Sequence, residues 1–313
     1  MERYRRAGSL PTRGREEPAP NLWPAESRRA VVSHDEIETY RCDGAVLLRG
    51  VVPTETLAAL AAGVEANLAD PSPWANDYTP QNSHGDNTAS VEQPRKGRFF
   101  DDYVNWQRIP PFREAALTGI LPAIAGALMA TARPRFFHEH VLVKEPGTAT
   151  PTPWHHDDPY YGVDGLANVS LWVPLDPIPE SIALRCLAAS HATGQRFVPN
   201  RFVDDTPYIG ETEITNAQSF RLLKNPSSLE QDPAVKRFPA VPGDVVAFHF
   251  RTLHGAPGTT HHPNRRRVVS FRYVGDDARW ATRPWTTSPP FPANGLVDGD
   301  ELDTERFPVI NLS

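Results

Sequence analysis

The chain carries 33 prolines in 313 residues, and this constrains its fold more than any other feature. Proline lacks the backbone donor that an interior helical turn needs and fixes its own φ. At this density it argues against a helical bundle and for short strands, turns and loops. The length suits one large domain or two small ones, and a hydrophobic share of 39% is enough for a core of ordinary size.

The order of patterns along the chain is informative. Residues 1–30 are rich in Arg, Pro and Glu without an apolar period, which predicts a disordered or loosely attached arm. Ser33 with Glu36 three residues later forms a capping box, and the helix it opens should end near Asp43-Gly44. Ala45-Val46-Leu47-Leu48 reads as a strand. Pro53 starts a second helix with an apolar stripe of Leu57, Leu60, Val64 and Leu68. Asp70 to Arg98 is polar and reads as a long loop of the kind that serves as a lid. Pro110 to Ala130 reads as one helix or two. From Phe136 the period becomes that of strands: Phe137 to Lys144, Val169 to Leu175, Asp244 to Phe250 and Arg266 to Val274. Asn200 to Ala240 reads as an insertion among them, and 281–313 as a Pro-rich tail on the surface. Helices first and strands later give an α+β class whose second half is a sandwich or barrel.

Charge and cysteine content exclude several functions. A formal charge of −6 disfavours nucleic acid and anionic membrane as partners. Apolar runs such as Ile120 to Ala132 are too short to span a bilayer, and no apolar segment follows the charged N-terminus as a secretory signal requires. Two distant cysteines, Cys42 and Cys186, form neither a disulfide framework nor a thiolate zinc site, so a cytoplasmic location is the simple expectation.

The chemistry concentrates in Trp154-His155-His156-Asp157-Asp158-Pro159. A His and an Asp two apart on a strand share a face and can reach one metal ion. His254, in Thr252-Leu253-His254-Gly255, supplies a second imidazole. Two imidazoles and one carboxylate leave several positions on iron(II) open to a co-substrate and O₂. His156 and Asp158 have the same spacing, and alternation admits only one pair. Pro159 biases Asp158 toward a strand exit, which favours His155 and Asp157. Downstream, Arg265 to Tyr273 is a basic strand. Arg266 shares a face with Val268, Ser270 and Arg272, while Arg265 and Arg267 share the other with Val269, Phe271 and Tyr273. Most of these arginines should be solvated; one or two facing inward could clamp a dicarboxylate.

In this order and spacing the chain resembles the phytanoyl-CoA dioxygenase family, which includes ectoine hydroxylase, from about His34 to Trp280. The resemblance rests on Asp43-Gly44-Ala45-Val46, Lys144-Glu145-Pro146-Gly147, Trp154-His155-His156-Asp157, Ser170-Leu171-Trp172, Pro242-Gly243-Asp244, His254-Gly255 and Arg266-Arg267-Val268-Val269-Ser270. It implies a double-stranded β-helix, a cupin-like jelly roll buttressed by N-terminal helices. Residues 31–313 would then form a single oxygenase domain. Its mainly helical support and lid loop would occupy 31–135, and its jelly-roll core 136–280, with an insertion at 200–240. It also implies an iron(II)/2-oxoglutarate-dependent hydroxylase that uses O₂, acts on a small molecule, releases succinate and CO₂, and works as a monomer or homodimer. His155, Asp157 and His254 would be the iron ligands. Trp172 and His140 would line the co-substrate pocket; ordinary core packing accounts for either equally well. Counting back from the strand end makes Arg266 the 2-oxoglutarate anchor; counting forward from His254 makes it Arg265.

The chain departs from the family pattern in places. Ala256 stands where the family often has Ser, Glu180-Ser181-Ile182 where it has Glu-Asn-Gly, and Ala188-Ala189-Ser190-His191 where it has Pro-Gly-Ser-His. The carboxylate ligand is present, so halogenation is disfavoured. The other readings of the site are a jelly-roll metal-dependent hydrolase or isomerase, and a metal-binding homologue without catalysis.

Overall fold

The computed structural model describes residues 31–78, 97–202, 204–210, 220–224 and 226–312. The N-terminal arm lies outside these residues, as do most of the loop 70–98 and part of the segment 200–240. Val31–Ser313 forms one compact unit.

Helix α1 (His34–Asp43) opens on the expected capping box, with the Ser33 side chain accepting from the Glu36 amide and the Glu36 carboxylate accepting from the Ser33 amide. It closes on Gly44 at φ 76, where a Cβ would meet the rings and hydroxyls of His191 and Thr252 within 2.8 Å. Strand β1 (Ala45–Leu48) and helix α2 (Thr54–Ala69) follow. Next come β2 (Asn76–Asp77) and β3 (Phe99–Tyr103). The stretch 110–130 is a pair of helices, α3 (Pro110–Leu117) and α4 (Ile120–Met129), split where Gly119 takes φ 72. As one span, Pro110–Met129 is apolar enough for a membrane, but half of it is buried inside this fold.

The remaining strands are β4 (Arg135–Lys144), β5 (Thr152–His155), β6 (Val163–Asp164), β7 (Asn168–Pro174), β8 (Leu184–Leu187), β9 (Arg196–Phe197), β10 (Phe220–Arg221), β11 (Val235–Phe238), β12 (Val245–Phe248), β13 (His254–Ala256), β14 (Arg266–Val274) and β15 (Arg279–Trp280). The major sheet has seven strands in the order β1-β12-β7-β14-β4-β3-β2, and the minor sheet four in the order β11-β8-β13-β5. This is the jelly roll, α+β by virtue of the helices packed on its major sheet.

Alternation decides which residues go where. On β7, Val169, Leu171 and Val173 join Val269, Phe271 and Tyr273 of β14 in a core shared with residues of α2, α3 and α4. Trp172 and Val268, on the opposite faces of those strands, pack with Leu184, Cys186 and Phe238 of the minor sheet. The inner face of the sandwich therefore carries Ser170 and Trp172 from β7 and Arg266, Val268, Ser270 and Arg272 from β14.

Three expectations change. Strand β3 precedes residue 136 and belongs to the major sheet, pairing Asp101 with Leu142 and Tyr103 with His140. Its sequence Phe-Phe-Asp-Asp-Tyr alternates weakly, so its strand character comes from pairing with β4 rather than from local pattern. The segment 200–240 is not wholly an insertion, because β11 within it pairs with β8. The C-terminal tail does more than cover the surface. Leu302 and Phe307 are buried, Phe307 stacks on Phe137 with centroids 5.1 Å apart, and Arg135 bonds the carbonyls of Leu302, Asp303 and Phe307.

Candidate metal centre

His155 ends β5 and His254 begins β13, and the two are paired across an antiparallel ladder, with ring centroids 4.2 Å apart. Asp157 does not sit on the strand. It adopts φ −71 and ψ −40 at the head of a single 3-10 turn, and the amides of Asp157 and Asp158 both donate to the Phe250 carbonyl at 2.8 and 3.0 Å. The carboxylate thus reaches the imidazoles through a turn after the strand, not by strand alternation. One ligand atom from each of His155, Asp157 and His254 lies within 4.8 Å of the others, and all three residues are buried. Asp157 Oδ1 is 3.7 Å from His155 Nε2 and 3.8 Å from His254 Nε2.

Protonation is arranged to suit a cation. His155 Nδ1 is 2.8 Å from the Pro153 carbonyl and His254 Nδ1 is 2.8 Å from the Thr252 carbonyl. A carbonyl only accepts, so each Nδ1 carries the proton and each Nε2 lone pair points at the centre. Burial pushes the His155 imidazole down to about 3, and it lowers His254 as well, so both are neutral and able to ligate. Burial alone would raise the Asp157 carboxyl, but the Arg272 guanidinium and the Ser170 hydroxyl hold it below the usual carboxylate range. Asp157 Oδ2 accepts from Ser170 Oγ at 2.7 Å and lies 3.6 Å from Arg272 Nε, which leaves Oδ1 for a metal. Burial pushes the Cys186 thiol up, so this neighbour of His254 offers no thiolate. Neutral imidazoles, an ionised carboxylate and no sulfur ligand make a set that fits iron(II).

The competing pair is used otherwise. Asp158 pairs with Arg196 at 2.6 Å and Arg251 at 3.3 Å, and His156 packs its ring on Phe197. Both ring nitrogens of His156 lack a partner among the described residues, and we have no physical account of that.

A cavity between the sheets contains the triad together with Trp172, His140 and Arg266. The flanking arginines are elsewhere: Arg265 pairs with Glu145 and Glu65, and Arg267 with Asp176 and Glu65. Arg266 is buried, and among the described residues its hydrogen bond is to the Ile182 carbonyl at 2.9 Å; no carboxylate pairs with it. Burial without a counter-charge pushes it down to about 10. Ser270, between Arg266 and Arg272 on the same face, has a buried hydroxyl with no partner among the described residues. An uncompensated guanidinium on the cavity wall fits an anionic oxygen ligand.

A family profile described as phytanoyl-CoA dioxygenase matches residues 40–268. The chain belongs to this family. Several members of the wider structural group share its fold. SnoK, a non-haem alpha ketoglutarate dependent carbocyclase from nogalamycin biosynthesis, is 22% identical over 89% of this chain and 96% of its own, with a TM-score of 0.65. The epimerase SnoN, solved with Fe3+, alpha ketoglutarate and nogalamycin RO, is 21% identical over 88% and 97%, with a TM-score of 0.64. EctD from S. alaskensis, solved with 2-oxoglutarate and 5-hydroxyectoine, is 17% identical over 90% of each chain, with a TM-score of 0.60. No curated protein sequence matches at a significant level.

Departures from the family pattern have local consequences. Ala256 lines the cavity, so a hydroxyl is missing from its wall. Ile182 needs no left-handed backbone and packs in the smaller core, whereas Ala189 takes φ 61 although it has a Cβ. Sequence reading passed over Ser170 and Arg272 as partners of Asp157, yet both alternate in phase with Trp172 and Arg266. It also passed over Asp101, Tyr103 and Ser288, which reach the cavity from β3 and from the C-terminal tail.

Proposed function

We propose that the protein is an iron(II)/2-oxoglutarate-dependent oxygenase that hydroxylates a small organic molecule. The observation that carries this reading is the pairing, in one cavity, of a neutral-His, ionised-Asp triad with the acid-free Arg266 guanidinium. A metal-dependent hydrolase or isomerase needs the first but has no use for the second.

His155, Asp157 and His254 would hold iron on one face. Iron, 2-oxoglutarate and O₂ together supply the oxidising power for a C–H bond, with succinate and CO₂ as co-products. The protein's own contribution is positioning. The Pro153 and Thr252 carbonyls fix both imidazole tautomers, and Ser170 with Arg272 orients the Asp157 carboxylate so that Oδ1 faces the ion. Arg266 would take the distal carboxylate of 2-oxoglutarate in a bidentate pair. Trp172, Leu142, Val268 and Phe248 form the apolar wall that keeps water from this end. His140 borders it, with Nε2 committed to Asp101 at 3.0 Å. Tyr160 and Tyr161 line the cavity beyond the triad, their rings packed on Tyr208 and Phe250.

The test is succinate release from 2-oxoglutarate in the presence of iron(II) across a metabolite screen, with products weighed for one added oxygen. His155→Ala, Asp157→Ala and His254→Ala should each abolish iron-dependent succinate release, whereas His156→Ala should retain it. Turnover by an Asp157→Ala protein, or iron binding with no succinate from any substrate, would overturn the proposal. Succinate release with a product lacking the added oxygen favours the carbocyclase or epimerase type of outcome over hydroxylation.

A further inference from the structure

The cavity is lined by a buried acid that no guanidinium or ammonium group meets among the described residues. Asp101 sits mid-strand on β3, is 2% exposed, and faces the cavity. Its Oδ1 accepts from Asn76 Nδ2 at 2.9 Å, and its Oδ2 accepts from the Tyr78 hydroxyl at 3.0 Å and from His140 Nε2 at 3.0 Å. The other buried acids are treated differently. Asp158 has Arg196 at 2.6 Å, Asp244 has Arg49 at 2.7 Å, Glu145 has Arg265 at 2.7 Å, Asp157 has Arg272 at 3.6 Å and Asp102 has Arg108 at 4.0 Å. Glu139 has no such partner, but it lies on the opposite face of β4 from His140, and burial pushes its carboxyl up to about 8. Among the described residues, Asp101 is thus the buried acid that meets the cavity without a guanidinium or ammonium group.

His140 is the nearest basic side chain to it, at 3.0 Å. Its Nδ1 lies 3.5 Å from Arg272 Nη2. A guanidinium only donates, so at that contact Nδ1 is the accepting side, and Nε2 faces Asp101. His140 also separates Arg272 from Asp101. Aromatic rings share the cavity lining: Tyr78, whose hydroxyl meets the carboxylate, Tyr103, T-shaped to His140 at 5.5 Å, and Tyr208, whose ring also has the Arg201 guanidinium 5.4 Å from its centroid. Ring faces present negative potential, and they attract a cation better than a neutral group of the same size.

We infer that the substrate carries a cationic amine, seated against Asp101 among Tyr78, Tyr103 and Tyr208 and thereby held beside the triad. The inference rests on the oxygenase reading for what happens next to the amine, but the seat itself needs no metal. A buried carboxylate gains more from a cation than from a fourth neutral donor, because the cation offsets the cost of taking its charge out of water.

The probes are choline, benzyltrimethylammonium and the uncharged choline isostere 3,3-dimethylbutan-1-ol. Their binding to the full chain is measured by calorimetry under anaerobic conditions with iron(II) and 2-oxoglutarate present. Binding of 2-oxoglutarate is followed in the same preparations. The two ammonium probes should bind at least roughly tenfold more tightly than the alcohol. Asp101→Asn keeps the shape and removes the charge, and it should erase that preference. Tyr208→Phe should keep the ammonium preference and Tyr208→Leu should lower ammonium affinity more than alcohol affinity, whereas lost packing alone would weaken both probes alike. Equal affinity for the alcohol, no binding by either ammonium, or an undiminished preference in Asp101→Asn overturns the inference. Absence of iron-dependent 2-oxoglutarate binding refutes the oxygenase reading instead, and leaves the ammonium comparison readable by itself.

Discussion

Arg266→Met separates the proposed anchor from its neighbours most sharply. The guanidinium is buried, bonded to the Ile182 carbonyl and unmatched by acid among the described residues, and it is lowered from 12.5 to about 10. That lowering corresponds to about 3 kcal/mol of disfavoured charge, at about 1.36 kcal/mol per pH unit. A bidentate carboxylate would return a charge-assisted pair of roughly 1.5–3 kcal/mol. Loss of the guanidinium should therefore raise the 2-oxoglutarate constant about tenfold to a hundredfold, at about 1.4 kcal/mol per decade. Arg266→Lys should recover part of this, since an ammonium is charged but lacks the planar fork.

The same burial makes a second, opposite expectation. Without 2-oxoglutarate the Arg266→Met protein should melt no lower than the wild type, because an uncompensated buried charge has been replaced by an apolar group of similar length. Arg265→Met and Arg267→Met should behave the other way round. Each strands an acid, Glu145 at 2.7 Å in one case and Asp176 at 2.8 Å in the other, so each should lower the melting temperature and leave the 2-oxoglutarate constant nearly unchanged. The assays are 2-oxoglutarate titrations of succinate formation and thermal melts of the metal-free proteins, on all three variants together. A large titration shift in Arg265→Met with none in Arg266→Met would refute the assignment.

Glu139 should give stability a pH slope. Burial holds its folded carboxyl at about 8 against an ordinary value of 4.5, so between these values the folded protein keeps a proton that the unfolded chain releases. Stability from this group is full below about 4.5 and declines as pH rises toward 8, by up to about 1.36 kcal/mol per pH unit. Glu139→Gln should flatten that slope in denaturant melts; an unchanged slope would show that the carboxyl is ionised in the fold. Ala189→Gly should stabilise, since φ 61 costs a residue with a Cβ roughly 1–2 kcal/mol and glycine returns part of this as unfolded-chain entropy. A net gain of about 0.5–1 kcal/mol by urea denaturation is expected, and a loss would count against a strained turn there.

How much of this could be read from the sequence depended on the range of the interaction. The α1 capping box and the β7 and β14 faces were legible because each rests on neighbours a few residues apart, or on a periodicity; the triad was legible from its residue types and the family resemblance, although Asp157 arrives by a turn and not by alternation. The turn that delivers Asp157 was not, because it is held by the Phe250 carbonyl, more than ninety residues away. The choice between Arg265 and Arg266 was open for the same reason. It turns on whether Glu145 and Glu65 stand beside the strand, and only the folded sheet and helix α2 place them there. Strand β3 escaped because its Asp-Asp centre argues against a strand until one sees Asp102 satisfied by Asn67 and Ser72 on one face and Asp101 turned to the cavity on the other.

The charges on the inner face follow an order that a uniform core would not need. On β14, Arg266 and Arg272 project to the same side, separated by Val268 and Ser270. Arg272 is matched by Asp157 and by the Tyr161 hydroxyl, so it orients a ligand and adds no free charge. Arg266 is matched by nothing ionised among the described residues, and Asp101, on β3 two strands away, meets Asn76, Tyr78 and His140 but no guanidinium or ammonium group. A fold that wanted only stability could pair them or replace both with apolar side chains at no loss. Keeping a guanidinium without an acid and an acid without a guanidinium or ammonium group on the lining of one cavity, together with a metal triad, makes sense if two different ligands complete the site. One is an acid at Arg266 and the other a base at Asp101, and each would be oriented toward the triad by the charged side chain it meets.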